Sequence, residues 1–571
     1  MSSSKLRFNF FSLAIIAVGL LLVARLFDLQ ILHSEEYNRR SLHQQTSSAQ
    51  NLYDRGTIYF KERNGTLLSA ATLESGYVLV LHPDKFINSL LDAEATYTAL
   101  EAIIPLDKID FMAKSGRTND PYEELAHRLS SEVANKIIAL KLPTITLEEE
   151  RWRYYPGDTL ASHALGFVGF VDKSVEGRAG VELSYEKILE RKEQNIYSNF
   201  FAKLFAQISD TIFSNTQEGD VVLTIEPQVQ SYVEKVLRET RQTWNATNAG
   251  VIVLDPSTGE ITAMAGAPNF NPNTYNKETD SSVFPNPLVE SAYEMGSTFK
   301  PITISSALDA KVITPKTTYI DKGYVELNGA KLQNYDKKGR GLVDMQEVLN
   351  QSLNTGTIFA MEKLGRDKFR NYLFAFGLTD RTGVDLPNET AGLTDNLQSN
   401  RDVEYATASF GQGIATSPLA MARALGALGN GGTLIKPHIV AAVRPTFGPM
   451  HQVPVIEQGR AISADTSEEI TRMLVRVVDE ALLHGTVKME HYSIAAKTGT
   501  AQIAKQSSDG YYDDRYLHTF FGYFPAYQPK FLVLLYLHSP QGAQFASQTL
   551  TAPFMDITKY LINYYEIPPD R

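Results

Sequence analysis

The sequence predicts an α+β chain in which a membrane-spanning segment precedes two regions of mixed helix and strand. Three features carry that expectation: an apolar run near the start, a mixed region over 33–220 without visible catalytic logic, and strand patterns at both ends of 221–571 with helical patterns between. At 571 residues the chain exceeds what one hydrophobic core organises. A net charge of −11 and the absence of a basic block argue against nucleic acid as a partner. With no cysteine, disulfides, thiolate metal sites and cysteine nucleophiles are excluded. The eleven histidines form no His-Glu-x-x-His cluster, so no metal and no cofactor is expected.

The run from Phe8 to Ala24 contains only Asn9 and Ser12 as polar residues and continues through Arg25 to Leu32. About 20 such residues cross a hydrocarbon core of about 30 Å. The expected division is a cytoplasmic tail over 1–8, an anchor over 9–32, a non-catalytic region over 33–220 and a catalytic region over 221–571. Lys5 and Arg7 ahead of the anchor favour a cytoplasmic N-terminus, leaving the bulk of the chain on the extracytoplasmic side.

In the 33–220 region, Arg63-Asn64-Gly65 between two extended patterns reads as a hairpin, and the strand-like run 76–83 closes at Pro83. Residues 214–220 give the best polar break. After it, Val229, Val233, Val236, Leu237 and Trp244 recur at helical spacing. Two apolar runs around Asp255-Pro256-Ser257-Thr258-Gly259-Glu260 predict a hairpin. Residues 493–504, 518–527 and 531–539 read as three further strands, followed by a helix presenting Ile557, Leu561 and Tyr564. Between them, Ser417 and Pro418 start a helix that Gly431 or Gly432 ends.

The chemistry centres on residues 293–303. A serine hydroxyl needs a base to take its proton, and Ser297 and Lys300 share a face at a helix start. Ser-x-x-Lys also occurs at Ser2–Lys5 and Ser184–Lys187, so the spelling alone separates a nucleophile from a helix cap poorly. Gly296 permits a tight turn and Pro301 fits only a first helical turn. To act as a base, Lys300 must be neutral, which requires burial or a nearby cation. Ser352-Leu353-Asn354 is the one Ser-x-Asn in the chain, and Lys497-Thr498-Gly499-Thr500 lies on an expected strand. Ser352 suits proton relay, Asn354 a substrate amide, and Lys497 the tuning cation. Gly499 opens the strand edge to an extended peptide whose carboxylate Thr498 and Thr500 would bind, and the backbone N–H groups of Ser297 and Thr500 suit an oxyanion.

Together, Ser297-Thr298-Phe299-Lys300, Ser352-Leu353-Asn354 and Lys497-Thr498-Gly499-Thr500 resemble the three motifs of penicillin-binding proteins and serine β-lactamases. The stretches 223–230, 249–273, 410–432, 55–59 and 160–170 extend the resemblance to class B penicillin-binding proteins over nearly the whole chain. It implies an antiparallel sheet with helices on both faces, preceded by an elongated α+β pedestal. It also implies a membrane-anchored D,D-transpeptidase: Ser297 attacks the D-Ala-D-Ala bond of a peptidoglycan stem peptide, and an amine from a neighbouring stem resolves the acyl-enzyme. β-Lactams would acylate the same serine, and a SEDS-type glycosyltransferase and other cell-wall machinery would be partners. The context of Ser297 is closer to septal, division-type members than to elongation-type ones. Two departures stand out: Ala496 where glycine commonly precedes Lys-Thr-Gly, and Met295 where proline commonly precedes Gly-Ser. A D,D-carboxypeptidase or β-lactamase would carry the same motifs, and a β-lactam sensor or a divisome scaffold is the alternative from another class.

Overall fold

The computed structural model describes residues 53–86, 89–171, 174–191, 218–505 and 510–571. The tail 1–8 and the anchor 9–32 read from the sequence lie outside them. Among the described residues, no helix is long and apolar enough to cross a membrane. These residues form two compact units, the smaller holding 53–54 and 73–152 and the larger 55–72 and 153–571.

In the smaller unit, the later part of the strand Leu67–Leu81 pairs with Glu123–Leu129 in antiparallel register, Tyr77 opposite Leu129 and Leu81 opposite Glu123. Asp107 caps the helix Lys108–Ser115 through the amides of Ile109 and Asp110, and Ser130 caps Ser131–Ala139 through Val133. Leu79, Leu81, Tyr97, Leu100, Phe111 and Ile137 close its core.

The larger unit is built on a five-stranded antiparallel sheet from β1 (Asn248–Leu254), β2 (Ile261–Ala267), β3 (Ala495–Ala504), β4 (Tyr511–Phe524) and β5 (Phe531–His538), in the order β3-β4-β5-β1-β2. The sheet therefore joins both ends of its own sequence, and β3 is an edge strand. Along β5 the side chains alternate: Phe531, Val533, Leu535 and Leu537 enter one core, while Leu532, Leu534 and Tyr536 enter the other. Burial on both faces is the reason this strand reads as one continuous apolar run rather than an alternating one.

Five helices matter to the site: α1 (Pro227–Thr243), α2 (Lys300–Asp309), α3 (Asn354–Leu364), α4 (Pro418–Gly429) and α5 (Thr551–Tyr564). On one face of the sheet, Val229, Val233 and Leu237 of α1 pack with Phe554, Ile557 and Leu561 of α5. On the other, Ile302 and Ile304 of α2 meet Leu425 and Leu428 of α4. The expected caps are present: Ser417 accepts from Ala420 N, and Gly431 and Gly432 follow α4 at φ of 82° and 88°.

The strand Gly219–Leu223 pairs in parallel with Ile58–Lys61 and antiparallel with Val440–Pro445. The segment 33–220 is thus shared between the two units, because a polar stretch marks a break in the chain and not in the packing. Beside this pairing lies an ion cluster. Arg55 Nε and Arg153 Nε donate to the two carboxylate oxygens of the fully buried Glu182 at 2.7 and 2.6 Å. Burial pushes the Glu182 carboxyl up, but the two guanidinium groups hold it below its ordinary value.

Candidate active site

Residues 296–299 form a single 3-10 turn that runs directly into α2 at Lys300. Gly296 sits at φ 57°, a conformation that costs an L side chain about 1–2 kcal/mol, so glycine here follows from the bend. Ser297 is half-buried in the turn, and its hydroxyl has no hydrogen-bond partner among the described residues. From Lys300 to Ala307 every residue of α2 is buried. A helix enclosed on all sides carries its first side chain into the interior, which is how a lysine comes to lie at 0% exposure.

The Lys300 amine does not turn back to Ser297 as the helical spacing suggests. It donates to the Ser352 carbonyl at 2.5 Å and lies 3.3 Å from Ser352 Oγ. Lys497, from β3, donates to the same Oγ at 3.0 Å and to Thr498 O at 3.0 Å. Burial, then the Lys497 charge, drives the Lys300 amine well below its ordinary value, and burial lowers Lys497 to about 7. Ser352 itself sits at φ 55°, immediately ahead of the Leu353 cap of α3. A non-glycine residue held there is the strained backbone typical of a site whose surroundings over-determine it.

Asn354 opens α3 and donates its side-chain amide to Gln333 O at 2.8 Å. Its neighbour Thr355 is fixed by a buried network that sequence reasoning passed over. Thr355 Oγ1 donates to Asp321 Oδ1 at 2.8 Å, and Asn334 Nδ2 donates to both Asp321 oxygens. The only signal in the sequence was an aspartate and an asparagine flanking a turn-rich stretch, which is commonplace. Thr500 Oγ1 accepts from Ala546 N at 3.1 Å, leaving its own proton to be donated elsewhere. The side chain of Thr498 is half-buried, and Thr500 stands opposite His518 on β4.

Gly499 brings the motif strand against the serine turn. A Cβ on it would lie 2.2 Å from Thr519 Oγ1, 2.8 Å from Met295 O and 2.9 Å from Thr298 N. The glycine is therefore required by close approach to the turn itself. Ala496, one of the two departures, is buried with Phe520 and Phe554 in the core beneath α5. Gly522 stands opposite it and supplies the space its methyl needs. Met295, the other, is buried and lines a small apolar cavity with Phe299, Leu373 and Ile414.

This sheet, the enclosed serine helix and the three motifs meeting at Ser352 define a penicillin-binding transpeptidase fold. The model of the penicillin binding protein transpeptidase domain matches residues 249–559, more than half of the chain, and that of the penicillin-binding protein dimerisation domain matches 52–199. The chain belongs to the penicillin-binding protein transpeptidase family, as a class B member carrying the dimerisation domain. Among curated relatives, the stage V sporulation protein D of Bacillus subtilis is 32% identical over 75% of this chain and 66% of its own length. The peptidoglycan D,D-transpeptidase FtsI homolog of Mesostigma viride is 28% identical over 96% and 94%. A crystal structure of penicillin-binding protein 3 from Mycobacterium tuberculosis, complexed with aztreonam, has a TM-score of 0.69 at 23% identity, covering 91% of this chain and 98% of that one.

Proposed function

We propose that this protein is a membrane-anchored serine D,D-transpeptidase that cross-links peptidoglycan stem peptides. The observation that carries the reading is the convergence of Lys300 and Lys497, two buried amines, on Ser352 Oγ, with Ser297 three residues before one of them. Neutral Lys300 leaves the Ser352 carbonyl, swings to Ser297 and takes its proton as Oγ adds to the carbonyl of the D-Ala-D-Ala bond. The backbone N–H groups of Ser297 and Thr500 receive the oxyanion. On collapse the C–N bond breaks, and the proton passes through Ser352 to the departing D-alanine amine. The amine of a second stem then attacks the acyl-enzyme, forming the cross-link and returning Ser297 its proton.

In this reading Asn354 holds the donor amide, and Thr498, Gly499 and Thr500 hold its terminal carboxylate along the outer side of β3. β-Lactams enter as acylating analogues, consistent with the aztreonam complex of the M. tuberculosis relative. The proposed organisation is a tail over 1–8, an anchor over 9–32, a pedestal over 33–220 and a transpeptidase domain over 221–571 on the extracytoplasmic side of the plasma membrane. The name of the FtsI homolog supports a role in division. A SEDS-type glycosyltransferase as partner rests on the family resemblance alone.

The test is the intact mass of a chain lacking residues 1–32 after incubation with benzylpenicillin. A single stable adduct is expected on the wild type and on neither Ser297→Ala nor Lys300→Ala. No adduct with intact penicillin would point to a non-catalytic scaffold. No adduct with rapid penicillin hydrolysis would point to a β-lactamase.

A further inference from the structure

We infer that Thr519, on β4 and outside the three motifs, is a positioning residue that aims the backbone N–H and hydroxyl of Ser297; the inference rests on Ser297 being the acylated residue. Thr519 is fully buried, and its hydroxyl donates to Met295 O at 2.9 Å. To reach that carbonyl it passes the bare α-carbon of Gly499, whose missing side chain would stand 2.2 Å from Thr519 Oγ1. β4 thus reaches across the edge strand to the nucleophile turn.

The Met295 carbonyl also accepts from Thr298 Oγ1 at 2.8 Å, so two hydroxyls, 3.3 Å apart, engage its two lone pairs. Met295 O and Gly296 N belong to one peptide unit, and Gly296 N donates to Gly411 O at 3.0 Å. The peptide plane preceding Gly296 is therefore held at both ends. Gly411 also lies close against the next carbonyl, since a Cβ there would stand 2.3 Å from Gly296 O. Only the two backbone torsions of Gly296 then separate a fixed plane from the peptide that bears the Ser297 N–H.

A plainer account holds that Thr519 only satisfies its own buried hydroxyl. Thr298, however, already pairs the Met295 carbonyl from within the turn. What Thr519 adds is a tie between that turn and the central sheet. Small displacements of a nucleophile cost about 10²-fold in rate per ångström, so the tie matters to chemistry more than to binding.

The experiment separates the two. Stopped-flow acylation of the soluble chain by benzylpenicillin yields the non-covalent dissociation constant and the rate of bond formation. Thr519→Val, nearly isosteric but without the hydroxyl, is expected to slow bond formation about tenfold or more and to leave the dissociation constant within about twofold. Thr519→Ser, which keeps the donor, is expected to recover the wild-type rate within about threefold. A boronic acid that forms a tetrahedral adduct on serine should lose affinity for the valine variant and not for the serine one. A valine variant that acylates at the wild-type rate, or a serine variant as slow as valine while melting like wild type, overturns the inference. If Thr519→Val does not fold, Thr519→Ala removes the same donor without placing a methyl where the hydroxyl stood, and a wild-type rate there overturns the inference. Failure of the wild type to acylate at all would instead remove the transpeptidase reading.

Discussion

Lys300 and Lys497 reach one oxygen, Ser352 Oγ, from 3.3 and 3.0 Å, although 197 positions of sequence separate the two lysines. Two buried amines on a shared hydroxyl do not both hold their protons at ordinary cost. Burial lowers both, and the Lys497 charge lowers Lys300 further.

The first consequence concerns pH. Because the Lys300 amine is driven well below its ordinary 10.5, its base form becomes available at lower pH than that of an ordinary lysine. The acylation rate is expected to rise with pH through a limb lying well below 10.5 and to have reached its plateau before that pH. Stopped-flow rates with benzylpenicillin across that range check it. A limb centred near pH 10 would show an ordinary surface-like amine.

Lys497 also bears on stability. Its value of about 7 in the fold lies below its ordinary 10.5, so the folded chain binds fewer protons than the unfolded chain between those limits. This contribution to stability is therefore lost as pH falls from 10.5 toward 7, and no more is lost below. Lys497→Met is expected to abolish acylation yet stabilise the chain at pH 7, on the order of 1–3 kcal/mol. The gain should vanish near pH 10.5. Urea unfolding at both pH values tests it, and a variant less stable at pH 7 than at pH 10, relative to wild type, would contradict it.

Ser352 Oγ joins the two amines and has no other hydrogen-bond partner among the described residues. Replacing it by alanine removes the shared acceptor and, with it, the proposed relay to the leaving group. Ser352→Ala is expected to slow acylation roughly 10²- to 10⁴-fold while Ser297 remains able to bind a boronic acid. Quantitative mass spectrometry over time reads the rate directly. A loss below about threefold would remove Ser352 from the proton path.

Far from the chemistry, Glu182 tests how the larger unit is held together. Its carboxylate is enclosed by Arg55 and Arg153 and held below its ordinary 4.5. Glu182→Gln removes the anion that Arg55 and Arg153 share, leaving Arg55 its pairing with Glu186 but taking the carboxylate from Arg153, and should destabilise the unit by about 3–5 kcal/mol. Stability from this group is present above pH 4.5 and is lost as pH falls through the lower folded value, so the variant's melting temperature should vary less in acid. Thermal melts in a pH series check both effects. Equal melting of variant and wild type would show that the cluster contributes nothing.

Local pattern made much of the molecule legible. Ser417 and Pro418 marked the start of α4, Val229 to Leu237 showed the buried face of α1, and Asn64-Gly65 marked a hairpin that forms with Gly65 at φ 87°. The three motifs were visible because their chemistry restricts residue type at fixed short spacing. Thr519 was not, although the buried pair His518-Thr519 within the buried, otherwise apolar end of β4, Leu517 to Phe524, was a signal of a kind. A lone threonine in a strand has no spacing to any motif.

The sequence by itself determined which side chains are available for acyl transfer, the sheet built from both ends of one segment, and the helix that carries Lys300. Only the tertiary structure decided that the Lys300 amine goes to Ser352 and not back to Ser297, that Gly499 makes room for the serine turn, and that Thr519 ties that turn to the sheet. The physical reason is range. Helical and strand periodicities are set by neighbours a few residues away, whereas a hydrogen bond between residues 295 and 519 of one chain depends on how separate elements pack, and packing leaves no period in the sequence.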